Sequence, residues 1–353
     1  MTTTGLVVLA VRVLAAALVA TFATLAGFVV IGERHRRRQG RRARARAAAV
    51  DALTTGSDAR GDAGPAVRAL RALTIAEARS VLSELAASFD GASLATLRSL
   101  AASLGLIDRD KAGLRSRRLS RRLTAARFLT MLGVTSDDIA RLLRDRHPSV
   151  RAQAAVWAAA HPTEQTLDAV AALLSDPDGR CRFEAKDTLA RLGRRATPLL
   201  TRLLASTDAG TVTASLEIAA VSSDPAYVPA AARLARAGTA VDRALAATVL
   251  ASSGGPAAVE TLRDMLDDPH SVVRRAAVSA LAARGDWPAA PLVAARLDDP
   301  SSAVREDAGL ALLRLGAPGI VLLRDAARAG GEGGAMATLV LEVHDSTTPR
   351  GAP

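Results

Sequence analysis

Met265-Leu266-Asp267-Asp268-Pro269-His270-Ser271-Val272-Val273-Arg274 is followed 31 residues later by Arg296-Leu297-Asp298-Asp299-Pro300-Ser301-Ser302-Ala303-Val304-Arg305. The phrase also occurs earlier in the chain. It reads Leu-Leu-Arg-Asp-Arg-His-Pro-Ser-Val-Arg from Leu142 and Leu-Leu-Ser-Asp-Pro-Asp-Gly-Arg-Cys-Arg from Leu173. A weaker copy, Leu-Leu-Ala-Ser-Thr-Asp-Ala-Gly-Thr-Val, starts at Leu203. The small apolar position ahead of the arginine falls at Val150, Cys181, Val212, Val241, Val273 and Val304, with spacings of 31, 31, 29, 32 and 31. A fixed period of this length marks stacked two-helix units, each too small to bury its own apolar face. Within a unit, the residue before proline is pushed out of the α region, so helix A ends at the Asp-Pro corner. The corner aspartate can accept backbone N–H bonds at the start of helix B. Alanines on helix B (Ala276, Ala277 and Ala280; Ala308 and Ala311) permit close helix approach, and Leu281 and Leu312 fill the space between layers. Gly193, Gly285 and Gly316, each twelve residues after the small position, end helix B.

The composition agrees. Of 353 residues 49% are apolar but only 2% aromatic, so the core must be built from Ala, Leu and Val, which suits close-packed helices better than a β-sandwich. At 23% charged residues a polytopic membrane protein is excluded, and the apolar content excludes a disordered chain. One cysteine, Cys181, rules out an internal disulfide framework or an all-cysteine metal site.

The pattern Leu-x-Asp-Pro-x-x-x-Val-Arg-x-x-Ala-x-x-Ala-Leu resembles the HEAT repeat, in the short bacterial form also seen in phycobilisome-lyase-like proteins. The resemblance covers 138–329, where six units are counted and the third and fourth, at Val212 and Val241, lack the Val-Arg pair. Residues 65–137 fit as divergent helical repeats, with Leu-Arg-Ser-Arg-Arg ahead of Ala125-Ala126 as a first, basic unit. The fold class expected is an all-α solenoid of HEAT-like two-helix repeats preceded by a single transmembrane helix.

That helix is read in residues 1–32. The stretch Val13–Ile31 is 19 residues without a charge, about 29 Å as a helix and enough for a hydrocarbon core. Arg12 lies near its outer end, where it can snorkel. A cleaved signal peptide would carry positive charge before the apolar run and a shorter run, and Met1–Thr4 has no charged side chain. The run Arg34, Arg36, Arg37, Arg38, Arg41, Arg42, Arg44 and Arg46 follows, and by the positive-inside rule it places 33–353 in the cytoplasm, the short N-terminus outside and the protein in the plasma membrane. Without aromatic residues interleaved for base stacking, this run reads as a topology signal and a clamp on anionic lipid headgroups. Residues 33–64 are thus a basic juxtamembrane segment, with the Gly-containing stretch 51–64 as linker.

The net charge of +11 is local: residues 138–353 hold 24 basic against 25 acidic side chains, so the repeats have no broad attraction for phosphate. A second basic run, Lys111 to Arg127 on one helix, exceeds what a solvated face requires, and Arg115, Arg117, Arg118, Arg121 and Arg122 are candidate contacts for a partner or the inner leaflet. Trp157, among alanines on helix B, is either core or an anchor on the concave surface. Trp287, at a repeat start, is expected to cover the seam between layers.

The periodic charges Asp145, Arg151, Asp176, Arg182, Asp268, Arg274, Asp299 and Arg305 have a structural reading: each arginine pairs with the corner aspartate of its own or the neighbouring unit. Thr213 and Asp242 are read as the lost arginines, each beside a lost Asp-Pro corner. Cys181 takes a position held by valine in sibling units, which makes it core rather than a nucleophile. His147 and His270 sit at equivalent corners about 123 residues apart and cannot share a metal, and no catalytic or phosphate-binding motif occurs. No catalytic site, cofactor, metal or small-molecule substrate is therefore expected.

The resemblance extends to bacterial single-span proteins whose cytoplasmic part is a HEAT solenoid, a class of adaptors of which some are associated with membrane glycosyltransferases. It implies a membrane-anchored scaffold with a membrane-associated protein partner. A nucleic-acid-binding role, as in HEAT-like DNA-repair glycosylases, lacks a basic concave face. A bilin-lyase-like enzyme is supported by the repeat alone. Residues 330–353 are expected to cap the last unit through Ala335–Val343 and to end in ten mobile residues.

Overall fold

A computed structural model describes residues 31–54, 64–89 and 91–347, and every regular element among them is helical. Two compact units divide at Leu142/Leu143, so the first helix of the first clear repeat goes with the N-terminal unit rather than with the repeats from 138 onward.

The N-terminal unit contains α1 (31–54), α2 (Gly64–Arg71), α3 (Ile75–Ala86), α4 (Gly91–Ser103), α5 (Leu106–Leu114), α6 (Leu119–Met131) and α7 (Asp137–Arg141). The candidate membrane span lies outside the described residues apart from Ile31, and no helix among the described residues is long and apolar enough to cross a membrane. The basic run lies on α1, and residues 51–54, the start of the stretch read as linker, belong to the same helix. This helix runs to Thr54, with Ala45, Ala49 and Ala52 buried on one stripe, the i, i+4, i+7 spacing of an amphipathic helix. Arg42 donates to Ser80 Oγ at 2.9 Å and pairs with Glu84, which ties α1 to α3. Thr74 and Glu77 form a reciprocal capping box at the start of α3, so an N-terminus begins where the sequence offers both partners. The second basic run is not one helix. α5 stops at Leu114 and α6 starts at Leu119, with Arg115, Ser116, Arg117 and Arg118 forming the corner between them.

The C-terminal unit contains α8 (Pro148–Ala158), α9 (Glu164–Ala172), α10 (Gly179–Leu192), α11 (Thr197–Leu203), α12 (Ala209–Ser222), α13 (Val228–Ala237), α14 (Ala240–Ser253), α15 (Pro256–Asp264), α16 (Ser271–Ala283), α17 (Ala290–Ala294), α18 (Ser302–Arg314), α19 (Ala317–Ala329) and α20 (Gly331–Thr347). Helices α8, α10, α12, α14, α16 and α18 are the B helices and stack in file, each against the next, which is the solenoid that the period required. Their buried positions repeat in register: Val150, Ala154, Trp157 and Ala158 on α8 correspond to Cys181, Ala185, Thr188 and Leu189 on α10 and to Val273, Ala277, Ala280 and Leu281 on α16. Gly285 and Gly316 follow α16 and α18 at φ +64° and +74°, a backbone conformation that a Cβ disfavours.

This register corrects the sequence at two units. On α14 the buried set is Asp242, Ala246, Val249 and Leu250, while Val241 is 56% exposed. On α12 the matching set is Thr211, Ser215, Ile218 and Ala219. The repeat positions are therefore Thr211 and Asp242, not Val212 and Val241. Both are polar, and both are satisfied locally: Thr211 donates to Asp208 Oδ2 at 2.6 Å, and Asp242 accepts from Thr239 and from Thr213 at 2.7 and 2.6 Å. Val241 lies on the exposed face of α14, whereas Val212 is buried on α12 one position along, where the other B helices carry arginine.

The end of the solenoid is closed by α20, which begins at Gly331, earlier than the expected cap, and runs to Thr347, so the tail from 344 to 347 is helix. Ala337 and Val340 are buried, and Gly309 on α18 leaves room for Val340. Trp287 does not cover a seam: it is 64% exposed.

Candidate functional site

The periodic charges of the C-terminal unit assemble into a ladder with one geometry. Arg151 donates Nε and Nη2 to the two carboxylate oxygens of Asp176 at 2.8 and 2.7 Å. Arg243 does the same to Asp268 at 2.7 and 2.8 Å, and Arg274 to Asp299 at 2.7 Å twice. In each case the aspartate belongs to the next unit. The remaining nitrogen turns back to the arginine's own corner: Arg151 to the Asp145 carbonyl at 2.9 Å, Arg243 to Gly238 at 2.9 Å, Arg274 to Asp268 at 2.8 Å. Each guanidinium therefore staples two layers with two parallel charge-assisted bonds, the planar fork that a lysine cannot supply.

The corner aspartates also serve their own unit. Asp176, Asp268 and Asp299 each accept a backbone N–H two residues on, from Asp178, His270 and Ser301, at 2.9 Å. Burial pushes the Asp176 and Asp268 carboxyls up, and the arginine fork with the backbone donor outweighs it, holding both below the ordinary value. At Asp299 the Arg274 fork is the larger influence and the carboxyl is again lowered. A carboxyl lowered in the folded state contributes stability at neutral pH that is lost as pH falls through its folded value. The melting temperature is accordingly expected to hold between pH 7 and 5 and to fall below about pH 4, the unfolded carboxylate range. Asp299→Asn is expected to make that fall shallower, as thermal melts across a pH series will show. Asp110 in the N-terminal unit runs the other way: burial raises it despite its pair with Arg79.

Arg243 was not legible as a ladder residue because its own corner has no Asp-Pro. The sequence reading placed Asp242 at its position and inferred a joint loss there. What is jointly lost is one step earlier, where Val212 stands in the arginine position of α12 and Ala237 in the following corner. Arg305, at the last step, has no further corner and meets Glu332 of α20 at 3.1 Å. Arg182 is the exception within the file. It bonds its own corner, Nη1 to the carbonyls of Asp176 and Pro177 at 2.7 and 3.0 Å, and no acidic side chain pairs with it among the described residues. The corner that should answer it carries Ser206, whose Oγ accepts the Asp208 N–H at 3.1 Å, the turn made elsewhere by an aspartate.

In the N-terminal unit Arg122 has the same inward posture, bonding the carbonyls of Ser116 and Arg117 at 2.9 and 3.2 Å, and it is buried. It is a ladder-type residue and not a surface contact. The signal for it was the offset: Ser116 precedes Arg122 by the same six residues that separate Asp176 from Arg182. Arg115, Arg117, Arg118 and Arg121 are exposed, and Arg115 is held by Asp138 at 3.0 Å. Of the first run, Arg34, Arg36, Arg37, Arg38, Arg41, Arg44 and Arg46 are exposed on α1, with Arg37 engaged by Glu33 at 2.9 Å. Trp157 is 3% exposed and stacked on His161 with ring centroids 4.5 Å apart, so it packs the core and is not an anchor for a partner.

Cys181 is fully buried, its Sγ 3.2 Å from the Pro148 carbonyl, and burial pushes its thiol up to about 11. Since the thiolate is the reactive form, a disulfide reagent at pH 8 is expected to label the folded chain more than about 100-fold more slowly than the urea-unfolded chain. Cys181→Val, the sibling residue, is expected to shift stability by less than about 1.5 kcal/mol.

The family model of HEAT repeats matches residues 136–220 and 228–313. Among solved structures, the karyopherin Kap121p bound to Pho4p is similar with a TM-score of 0.51 at 13% identity, over 84% of this chain and 41% of that one. The complex of CpcE and CpcF of phycocyanin lyase from Nostoc sp. gives a TM-score of 0.37 at 20% identity, over 61% of this chain and 95% of that one. No curated protein matches. At 13% identity the likeness to Kap121p is one of fold. Residues 136–220 and 228–313 are HEAT repeats.

Proposed function

We propose that this chain is a membrane-anchored scaffold whose HEAT repeats bind another protein, with Val13–Ile31 as the span and the repeats on the cytoplasmic side. The observation that carries the reading is the stacked-repeat architecture of the C-terminal unit. Arg151, Arg243 and Arg274 are spent on joining layers, and its surface presents exposed apolar side chains, among them Phe183, Val221, Trp287, Leu292 and Leu310. A stacked array of this kind offers an extended surface in proportion to its repeat number. Kap121p, the fold neighbour above, is a karyopherin seen bound to Pho4p, which supports protein binding as a use of such a surface. The exposed arginines of α1 directly after the span would meet anionic headgroups, each adding about 1 kcal/mol of attraction. Tethering raises the effective concentration toward other membrane-bound proteins, and a membrane-associated partner such as a glycosyltransferase fits that setting.

The test is a crosslinked, nuclease-treated pull-down of the full chain from detergent-solubilised membranes, read by mass spectrometry. One stoichiometric protein partner is expected, together with retention in the membrane fraction after a high-salt wash. Release by salt alone, or recovery of nucleic acid and no protein, would overturn the reading.

A further inference from the structure

The ladder that binds layer to layer is interrupted at one place in a way that leaves a binding group behind. At the α12 step both halves are gone together, Val212 and Ala237, so nothing is unmatched there. At Arg182 only the carboxylate is missing. Its Nη1 is anchored on the Asp176 and Pro177 carbonyls, as Arg274 is anchored on Asp268 and Pro269, so the guanidinium is held at its root in the ladder posture. The answering corner offers Ser206. Asp208, the acid of that corner, is committed elsewhere: its Oδ2 accepts from Ser175 Oγ at 2.6 Å, from the Thr211 N–H at 2.8 Å and from the Thr211 hydroxyl at 2.6 Å. Arg182 is exposed, whereas Arg151 and Arg274 have only 14% and 12% of their side chains exposed.

The space in front of Arg182 is a groove of about 370 Å³ between α10 and α12, lined by Arg182, Lys186, Gly210, Thr213, Ala214 and Glu217. Lys186 and Glu217 neutralise each other across it at 2.7 Å, which leaves Arg182 as its unbalanced charge. Small residues on the α12 side leave the groove open. Phe183, 63% exposed, lies next to Lys186 on the surface of α10 by helical spacing.

From this we infer that Arg182 is a carboxylate-binding site for a partner protein: an acidic side chain of the partner enters the α10–α12 groove and completes the vacant ladder step, its oxygens taking the two guanidinium N–H groups that Asp176, Asp268 and Asp299 take elsewhere. The inference rests on the scaffold reading and names the chemistry of one contact on it. A bidentate arginine–carboxylate pair recognises a planar group at fixed geometry, so the site discriminates glutamate or aspartate from their amides. An apolar residue beside the acid would lie over Phe183.

Two variants test it from opposite sides. Arg182→Ala removes the fork. Ser206→Asp supplies the missing carboxylate from within, in a turn whose siblings already carry aspartate, and so should occupy Arg182 internally. The probe is a fluorescein-labelled peptide with one glutamate between leucines, titrated to 1 mM against the full chain in detergent, beside the same peptide with glutamine. The expected result is saturable binding of the glutamate peptide, at least tenfold weaker binding of the glutamine peptide, and at least tenfold loss in both variants. Arg180→Ala, outside the groove, should change affinity less than twofold. Ser206→Asp should also raise the melting temperature by a few degrees, which shows that the variant is folded and the step filled. No peptide binding, equal binding of the two peptides, retention of affinity in both variants, or an unchanged melting temperature in Ser206→Asp would overturn the inference. So would an oligonucleotide that competes the peptide from Arg182 at lower concentration. In the membrane pull-down, a partner recovered equally by the wild type and by Ser206→Asp removes this site and leaves the scaffold reading standing; recovery of no partner by the wild type removes the scaffold reading itself.

Discussion

Arg274→Ala is expected to lower the melting temperature of the C-terminal unit by roughly 6–20 °C. The substitution leaves Asp299, whose side chain is 1% exposed, without its counter-charge. Breaking a buried pair by removing one partner costs about 3–5 kcal/mol, because the remaining ion has lost water and gained nothing. For a domain of about 150–250 residues, each kcal/mol shifts the midpoint by about 2–4 °C. The same substitution at Arg305 is expected to cost far less, since its acidic partner Glu332 is 77% exposed and remains hydrated when released. Differential scanning calorimetry of the two variants beside the wild type checks the contrast. Equal losses would mean that the own-corner carbonyl bonds, which both arginines make, carry the stability and the carboxylate does not.

Tyr227→Ala is expected to cost about 3–5 kcal/mol, the range for deleting a large buried aromatic side chain. Tyr227, the single tyrosine of the chain, is completely buried in a short 3-10 turn ahead of α13, and its hydroxyl donates to Thr197 Oγ1 at 3.3 Å. Thr197 in turn donates to Asp224 at 2.8 Å, which links the start of α11 to the corner before α13. This is the stretch where the ladder has no steps, so the ring and its hydroxyl chain bear on a part of the solenoid without ion-pair staples. Tyr227→Phe keeps the ring and removes one hydrogen bond, at an expected cost of about 0.5–1.5 kcal/mol. Denaturant unfolding of both variants separates packing from hydrogen bonding. A large loss in Tyr227→Phe would place the stability in the Thr197–Asp224 chain instead.

The parts of this architecture that were legible in the sequence are those where apolar periodicity and a backbone breaker coincide. Val150, Val273 and Val304 each follow a proline-containing corner, and there the helix boundaries, the stacked layers and the pairing of a periodic arginine with a corner aspartate follow from spacing and sterics. The reading failed where a polar residue occupies a core position. Thr211 and Asp242 are buried because neighbouring hydroxyls and carboxylates satisfy them, and no hydropathy pattern marks a residue whose partner is supplied by the fold. α1 was missed for a related reason: eight arginines conceal an alanine stripe that is apolar only on one face. The division of Lys111–Arg127 into two helices falls just after Gly113, whose carbonyl accepts the Ser116 N–H at 3.1 Å, and the six-residue offset between Ser116 and Arg122 also records it.

The direction of pairing was also beyond the sequence. Spacing alone allows each arginine to reach its own corner or the next, and the structure uses both at once, the carboxylate across the seam and the carbonyl at home. That distinction gives Arg182 its meaning. Read within one unit, Arg182 has its corner aspartate and nothing is missing; read across units, its answering residue is Ser206.

The central claim is that carboxylate and guanidinium hold neighbouring layers together as a coupled pair, and a double-mutant cycle on Arg274 and Asp299 measures it most directly. Unfolding free energies of the wild type, Arg274→Ala, Asp299→Ala and the double variant give the coupling. The account predicts about 1.5–3 kcal/mol, toward the upper part of the range for contacting residues. Additivity within about 0.5 kcal/mol would contradict it, because the two side chains would then contribute independently and an unanswered arginine at position 182 would have no vacancy to fill.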